Sequence, residues 1–161
     1  MTNSCQISHK ALNLVVSQSA YHFPNETGGL LVGKVQNGCL FIEHATEPGP
    51  AAHHAPTKFI RDGYFSQEVL DALVKNSDGM FDYVGEWHSH PVKSRKQPSQ
   101  LDLESMRWIA ANEAYATNQP ALLLCINAGL NRWRIRCYIL VENNLRLLSI
   151  YQDHAREIEL Q

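Results

Sequence analysis

The sequence predicts an α/β (α+β) fold in which helices flank a mixed central β-sheet. Three observations carry this expectation. The 161 residues suit a single domain, taken to span 1–161, and a chain of that size buries roughly 68–70% of its extended surface without a staple. Segments with apolar residues at helical spacing alternate with short apolar runs bounded by glycines. Several neighbouring runs are joined by hairpin signals, so parallel and antiparallel pairings should share one sheet.

In chain order, residues 8–21 read as a helix, with Ala11, Leu12, Val15 and Val16 on one face and Ser8 as N-cap. Pro24-Asn25 ends it. Gly28-Gly29-Leu30-Leu31-Val32-Gly33 is wholly apolar between glycines, the mark of a buried strand, and Gln36-Asn37-Gly38 turns the chain into a second strand over 39–45. A Pro/Gly/Ala loop covers 47–56. A strand over 57–61 leads to a helix over 64–75 bearing Val69, Leu70, Leu73 and Val74. A strand over 81–90, a polar loop over 91–98 and an amphipathic helix over 99–115 follow, the last with Leu103, Met106, Ile109 and Ala110 inward. Two apolar strands, 121–127 and 132–141, precede a final strand or tail from about 145.

Composition narrows the function. A hydrophobic share of 44% is too high for a disordered chain. A net charge of −2 gives no general pull toward nucleic acid or an anionic membrane, so neither is expected as a partner; Lys93-Ser94-Arg95-Lys96 is the one local basic cluster. No apolar run is long enough to span a bilayer, and the first residues lack a secretory leader. Cys5, Cys39, Cys125 and Cys137 are scattered without a C-x-x-C pair, which fits a reducing cytoplasm and argues against a cysteine-rich zinc site. Cys125 and Cys137, on apolar strands, read as small buried hydrophobes.

The chemistry concentrates in Glu86-Trp87-His88-Ser89-His90-Pro91, seven residues, then Ser99-Gln100-Leu101-Asp102. Alternate side chains of a strand share a face, so His88 and His90 point the same way. Two imidazoles and one carboxylate, with a fourth position left to water, are the donor set of a catalytic Zn²⁺ site. The strand–loop–helix path can return Asp102, in the first helical turn, to the two histidines. Ser99-x-x-Asp102 also spells a helix-capping box with Asp in place of the usual Glu. With eight histidines, H-x-H alone arises by chance in roughly 0.4 of such chains, whereas adding Ser and Asp at these offsets lowers the expectation to on the order of 0.001.

This pattern resembles the metal signature of the JAMM (JAB/MPN+) metalloprotease family in its short bacterial form. The family also carries a Glu just before a Gly-rich apolar strand, and Glu26-Thr27-Gly28-Gly29-Leu30-Leu31-Val32-Gly33 is similar to that element. The loop from Pro48-Gly49-Pro50 through His53 to Phe59 and Asp62 resembles a stretch of bacterial members, so the likeness runs from about 8 to 138. It implies a JAB1/MPN-like layered fold, related to cytidine deaminases, with His88, His90 and Asp102 as zinc ligands, Glu26 as general acid/base and Ser99 as oxyanion donor. It also implies hydrolysis of the bond after the C-terminus of a ubiquitin-like protein or of a conjugated target. The small bacterial relatives accompany E1- and E2-like proteins and a cyclic-nucleotide synthase in antiphage (CBASS) defence.

Other readings stay open at this level. The same chemistry would trim a sulfur-carrier protein in cysteine or thiamin biosynthesis, and a relative without metal would be an inactive scaffold. A zinc nucleobase deaminase is excluded, because the chain has no P-C-x-x-C. Alternation puts Glu86 on the face of His88, as an outer partner of the metal or as a charge at the strand's solvent end. Trp87 and Ser89 face the other way, Trp87 into the core. His53 and His54 line a groove or sit solvated in their loop. Lys93–Lys96 either touches substrate or is a solvated loop. His9, His22, His44 and His154 have no spaced partner.

Overall fold

A computed structural model describes residues 1–152 and, for the backbone alone, 156–157; His154 lies outside the described residues. The order is β1 (Ser4–Ile7), α1 (His9–His22), β2 (Gly28–Gln36), β3 (Cys39–Ala45), β4 (His53–Ala55), β5 (Lys58–Ile60), α2 (Gly63–Asn76), β6 (Asp82–His90), α3 (Gln100–Ala111), β7 (Ala121–Gly129), β8 (Arg132–Val141), β9 (Asn144–Gln152) and β10 (Arg156–Glu157). The main sheet runs β1-β3-β2-β6-β7-β8-β9-β10, and β1 pairs with β9 as well as with β3. The strand succession therefore returns to its start. Parallel pairings (β1 with β3 and β9, β6 with β7) occur beside antiparallel ones (β2 with β3 and β6, β7 with β8, β8 with β9), so the sheet is mixed as expected. β4 and β5 form a separate two-stranded hairpin.

Alternation on the central strands splits the core in two. Leu123 and Cys125 of β7, Trp87 of β6 and Leu31 of β2 pack with Ala11 and Val15 of α1. Leu122, Leu124 and Ile126 face the opposite side with Met106 and Ile109 of α3, and Leu70 of α2 packs against that cluster. β7 buries both faces because helices cover both, which is why it reads as a continuous apolar run. Each fully buried Leu or Ile here contributes about 1.5–3 kcal/mol relative to exposure. Trp87 is 1% exposed, as its alternation predicts, and its indole N–H donates to the Thr46 carbonyl at 3.0 Å.

Caps set the helix starts. Ser8 accepts from the Ala11 N–H at the head of α1, and Asp62 from Phe65 N–H at the head of α2. Three local expectations are revised. β1 precedes the first element expected from the sequence, has four residues and takes its order from the distant β3 and β9. The expected 47–56 loop contains the three-residue β4, ordered by its hairpin with β5. α3 stops at Ala111 rather than 115, because Asn112 leaves helical geometry and its side-chain oxygen accepts from Ala114 N–H, an alternative to the next helical turn.

Candidate metal centre

β2 and β6 run antiparallel with Gly28 opposite His88, which brings the segment just before β2 beside the His-Ser-His end of β6. The serine between the histidines makes the junction. Its hydroxyl accepts from Thr27 N–H at 3.0 Å, and its own N–H donates to the Thr27 carbonyl at 2.8 Å. Ser89 points away from the histidines, as alternation requires, and ties Glu26's neighbour to the strand that carries them. The glycines after Thr27 are there for space. A Cβ on Gly28 would stand 2.9 Å from the Phe59 ring and 3.0 Å from His88 Cβ, and one on Gly29 would press into the Thr46 carbonyl and stand 2.8 Å from the Trp87 indole nitrogen.

His88, His90 and Asp102 converge from β6 and the first turn of α3. His88 Nε2 lies 3.2 Å from His90 Nε2 and 3.1 Å from Asp102 Oδ1, and His90 Nε2 lies 3.5 Å from Asp102 Oδ2. Donors about 2.0–2.1 Å from one tetrahedral ion are spaced about 3.3 Å apart. The three distances straddle that value, and the ligand atoms all lie within 4.8 Å of one another. Two imidazoles and a carboxylate are borderline donors suited to Zn²⁺ and its first-row neighbours.

His90 is 1% exposed, and its Nδ1 lies 3.1 Å from the Arg95 carbonyl oxygen. A carbonyl only accepts, so Nδ1 carries the proton and the Nε2 lone pair is free toward the metal position. Asp102 serves both of its sequence readings at once. Its Oδ2 accepts from Ser99 N–H at 2.6 Å while Ser99 Oγ accepts from Asp102 N–H at 3.0 Å, a reciprocal capping box that also fixes the carboxylate against the histidines. Burial alone would raise the Asp102 pKa; its contacts with the His88 and His90 imidazoles and the Ser99 N–H override it and hold the carboxyl well below its usual range. Burial opposes charge on His88, and Asp102 together with Glu26 and Glu86 more than offsets it, so the His88 pKa is raised.

Glu26 is 7% exposed. Its backbone is held from both sides: Glu26 N–H donates to the Ala55 carbonyl at 2.8 Å, and the Glu26 carbonyl accepts from His54 Nδ1 at 2.9 Å. His54 in turn stacks on His22, with centroids 3.9 Å apart and planes 10° from parallel. Arg95 Nη1 lies 3.0 Å from Glu26 Oε1. Burial raises the Glu26 pKa, and His88, Arg95 and His90 pull it down without cancelling the effect. Glu26, His88, Asp102, Ser99 and Arg95 line a groove of about 210 Å³ that continues past Lys58, Phe59 and Leu101. A larger cavity of about 710 Å³, walled by Leu70, Val74 and Trp108, contains none of these residues.

Of the five residues singled out from the sequence, Glu26, His88, Ser99 and Asp102 line this groove, and His90, 1% exposed, lies buried behind it against His88 and Asp102. Glu86 neither meets the three donors nor stands free in solvent; it forms an ion pair with Arg61 and accepts from Tyr83 O–H at 3.4 Å on the groove wall. His54 leaves the solvated-loop reading, since it holds the Glu26 backbone. The sequence placed Arg95 only within the 93–96 basic cluster, and no local pattern could have paired it with Glu26, because that partner stands 69 positions away. All four cysteines are free thiols. Among the described residues no helix is long and apolar enough to cross a membrane.

The fold and the three-donor centre define a metal-dependent hydrolase of the JAB type. The chain belongs to the prokaryotic homologs of the JAB domain, whose family model matches residues 8–136. A protein named CD-NTase/cGAS isopeptidase from Escherichia coli (strain TW11681) is 29% identical over 120 residues, 74% of this chain and 73% of that one. Its namesake from Enterobacter hormaechei subsp. hoffmannii is 34% identical over 121 residues, covering 73% of this chain and 64% of its own. A probable metalloprotease, y4qB, from Sinorhizobium fredii is 28% identical over 71% of this chain and 70% of its own. In three dimensions the solution structure of protein DSY2949 from Desulfitobacterium hafniense superposes with a TM-score of 0.71, 17% identity and 98% coverage of both chains.

Proposed function

We propose that the chain is a single-domain, zinc-dependent isopeptidase acting in the bacterial cytoplasm on protein conjugates of a CBASS-type defence system. Its substrate would be the bond after the C-terminus of a ubiquitin-like protein or of a conjugated target, such as a cyclic-nucleotide synthase joined by E1- and E2-like partners. The observation that carries this is the three-donor cluster with Glu26 held beside it, on a chain whose relatives are named isopeptidases.

His88, His90 and Asp102 would hold the zinc. When bound, it lowers the pKa of its water to about 7 and polarises the scissile carbonyl. Glu26 takes the water proton and delivers it to the leaving amine. Its burial suits a group that must accept and then release a proton near neutrality. Ser99 Oγ already accepts from Asp102 N–H, so its own O–H is free to donate where negative charge develops on the carbonyl oxygen. An extended substrate tail fits beside β5, which pairs only with β4 among the described strands and lends Lys58 and Phe59 to the groove.

The test is incubation with a ubiquitin-like protein fused or conjugated through its C-terminus, with zinc counted per chain. Wild type carries one zinc and cleaves; chelated protein and Glu26→Ala do not cleave. Equal cleavage by all three would sink the mechanism, and a metal-free, inactive wild type would identify a scaffold.

A further inference from the structure

We propose that a second cavity, on the far side of the 91–98 loop from Glu26, binds the carboxylates of an acidic segment of the protein substrate; this rests on the hydrolase reading above. The cavity measures about 140 Å³, and four of its lining side chains are cations: Lys93 and Lys96 from the loop, Arg134 and Arg136 from β8. Among the described residues no carboxylate lines it. Arg134 and Arg136 stand two apart on a strand and therefore share a face. The sequence exposed only half of this cluster, because its two parts are about 40 positions apart.

The cations are placed rather than merely near one another. Asn127 Nδ2 donates to the Pro91 carbonyl at 2.8 Å, and Arg136 Nη1 donates to the Lys96 carbonyl at 3.3 Å, which pins the loop to β7 and β8. Gly129 has φ +83°, and a Cβ there would stand 2.9 Å from Lys93 Cε and Nζ. The missing side chain leaves the seat that the lysine fills. In a chain of net charge −2, Lys93, Lys96 and Arg136 alone set three cations around so small a volume, and a bound anion relieves their mutual repulsion. Planar guanidinium forks match carboxylates, and ammonium groups add point charge.

Position and size choose the occupant. Ile126, which lines the cavity, is the register partner of His90, so the site lies one strand from the metal end of β6. The loop between them presents Arg95 to the groove and its lysines to the cavity. A volume of about 140 Å³ takes one or two carboxylates, not a nucleobase with its phosphate, and the chain's overall charge offers no field to gather a nucleic acid. A substrate held here and in the groove grips both sides of one catalytic loop.

The test uses the full chain, with binding of fluorescein-labelled hexaglutamate read by anisotropy. Wild type should bind, and Lys93→Glu/Lys96→Glu should weaken binding about tenfold or more, while Lys10→Glu on α1, the same charge change elsewhere, stays within about twofold. Raising salt from about 20 to about 200 mM should weaken wild type and leave the double variant little changed. On a cleavable conjugate with an acidic segment, the double variant should raise KM and leave kcat unchanged. No binding, equal loss in Lys10→Glu, or preferential displacement of the peptide by inorganic phosphate or single-stranded DNA would each overturn the assignment. Binding is read without turnover, so a chain that binds hexaglutamate here and cleaves nothing retires the hydrolase reading and not the acid-binding cavity.

Discussion

Arg95 joins Glu26 through its guanidinium at 3.0 Å and receives His90 Nδ1 on its carbonyl at 3.1 Å. One loop residue thus orients a candidate ligand with its backbone and steadies the candidate base with its side chain. The loop has no secondary structure of its own, yet hydrogen bonds from Asn127, Arg136 and Tyr138 fasten it to β7 and β8.

Arg95→Ala separates those two roles, since the carbonyl remains. Burial raises the Glu26 pKa and Arg95 is among the charges that lower it. Losing the cation therefore moves the Glu26 pKa further up. A general base works deprotonated, so the acid limb of the kcat/KM profile should shift to higher pH, and the lost orientation should lower kcat by about tenfold. Arg95→Lys should restore much of the limb's position. A profile unchanged in Arg95→Ala would show that Glu26 does not feel this charge during turnover.

Ser89→Ala deletes the hydroxyl that accepts from Thr27 N–H. Thr27 is fully buried, so water cannot replace the lost partner. An orphaned buried donor costs about 1–3 kcal/mol, visible as a lower midpoint in urea unfolding. Because the same bond aligns Glu26 with the histidine strand, kcat should fall while metal content holds. Full stability in this variant would mean that the N–H finds another acceptor.

Thiol chemistry reports on the sheet interior. Cys5, Cys125 and Cys137 are fully buried, and burial pushes the Cys125 thiol up to about 12. At pH 8 its thiolate fraction is then about one in ten thousand, and access is blocked besides. Titration with a disulfide reagent should find one fast-reacting thiol, Cys39, in the native chain and four after denaturation. Early reaction of Cys125 would place β7 closer to solvent than its packing allows.

What the sequence disclosed follows the range of the interactions involved. His88 and His90 share a face because strand geometry has period two, and Ser99 with Asp102 is fixed by one helical turn; both are local facts. Glu26 was legible only through the glycines that follow it, whose spatial reason, the close approach of Thr46, Trp87 and His88, appears once β2 and β6 pair. Arg95, His54 and the β8 arginines gain their roles from partners tens of residues away, and no periodicity encodes that. β1 was missed for the same reason: Ser4-Cys5-Gln6-Ile7 alternates, but four residues cannot announce a strand whose partners lie in β3 and β9.

That first strand has a kinetic meaning as well. β1 pairs with residues 39–42 on one side and 149–152 on the other, so the seam of the sheet joins Ser4 to a partner as far along the chain as Ser149. During synthesis the β1–β2–β3 region can assemble early, while one edge of β1 stays unsatisfied until β9 has left the ribosome. Contacts of such sequence separation slow folding. In that interval the nascent chain exposes an unpaired strand edge open to other chains, and the final closing of the sheet is the step that removes it.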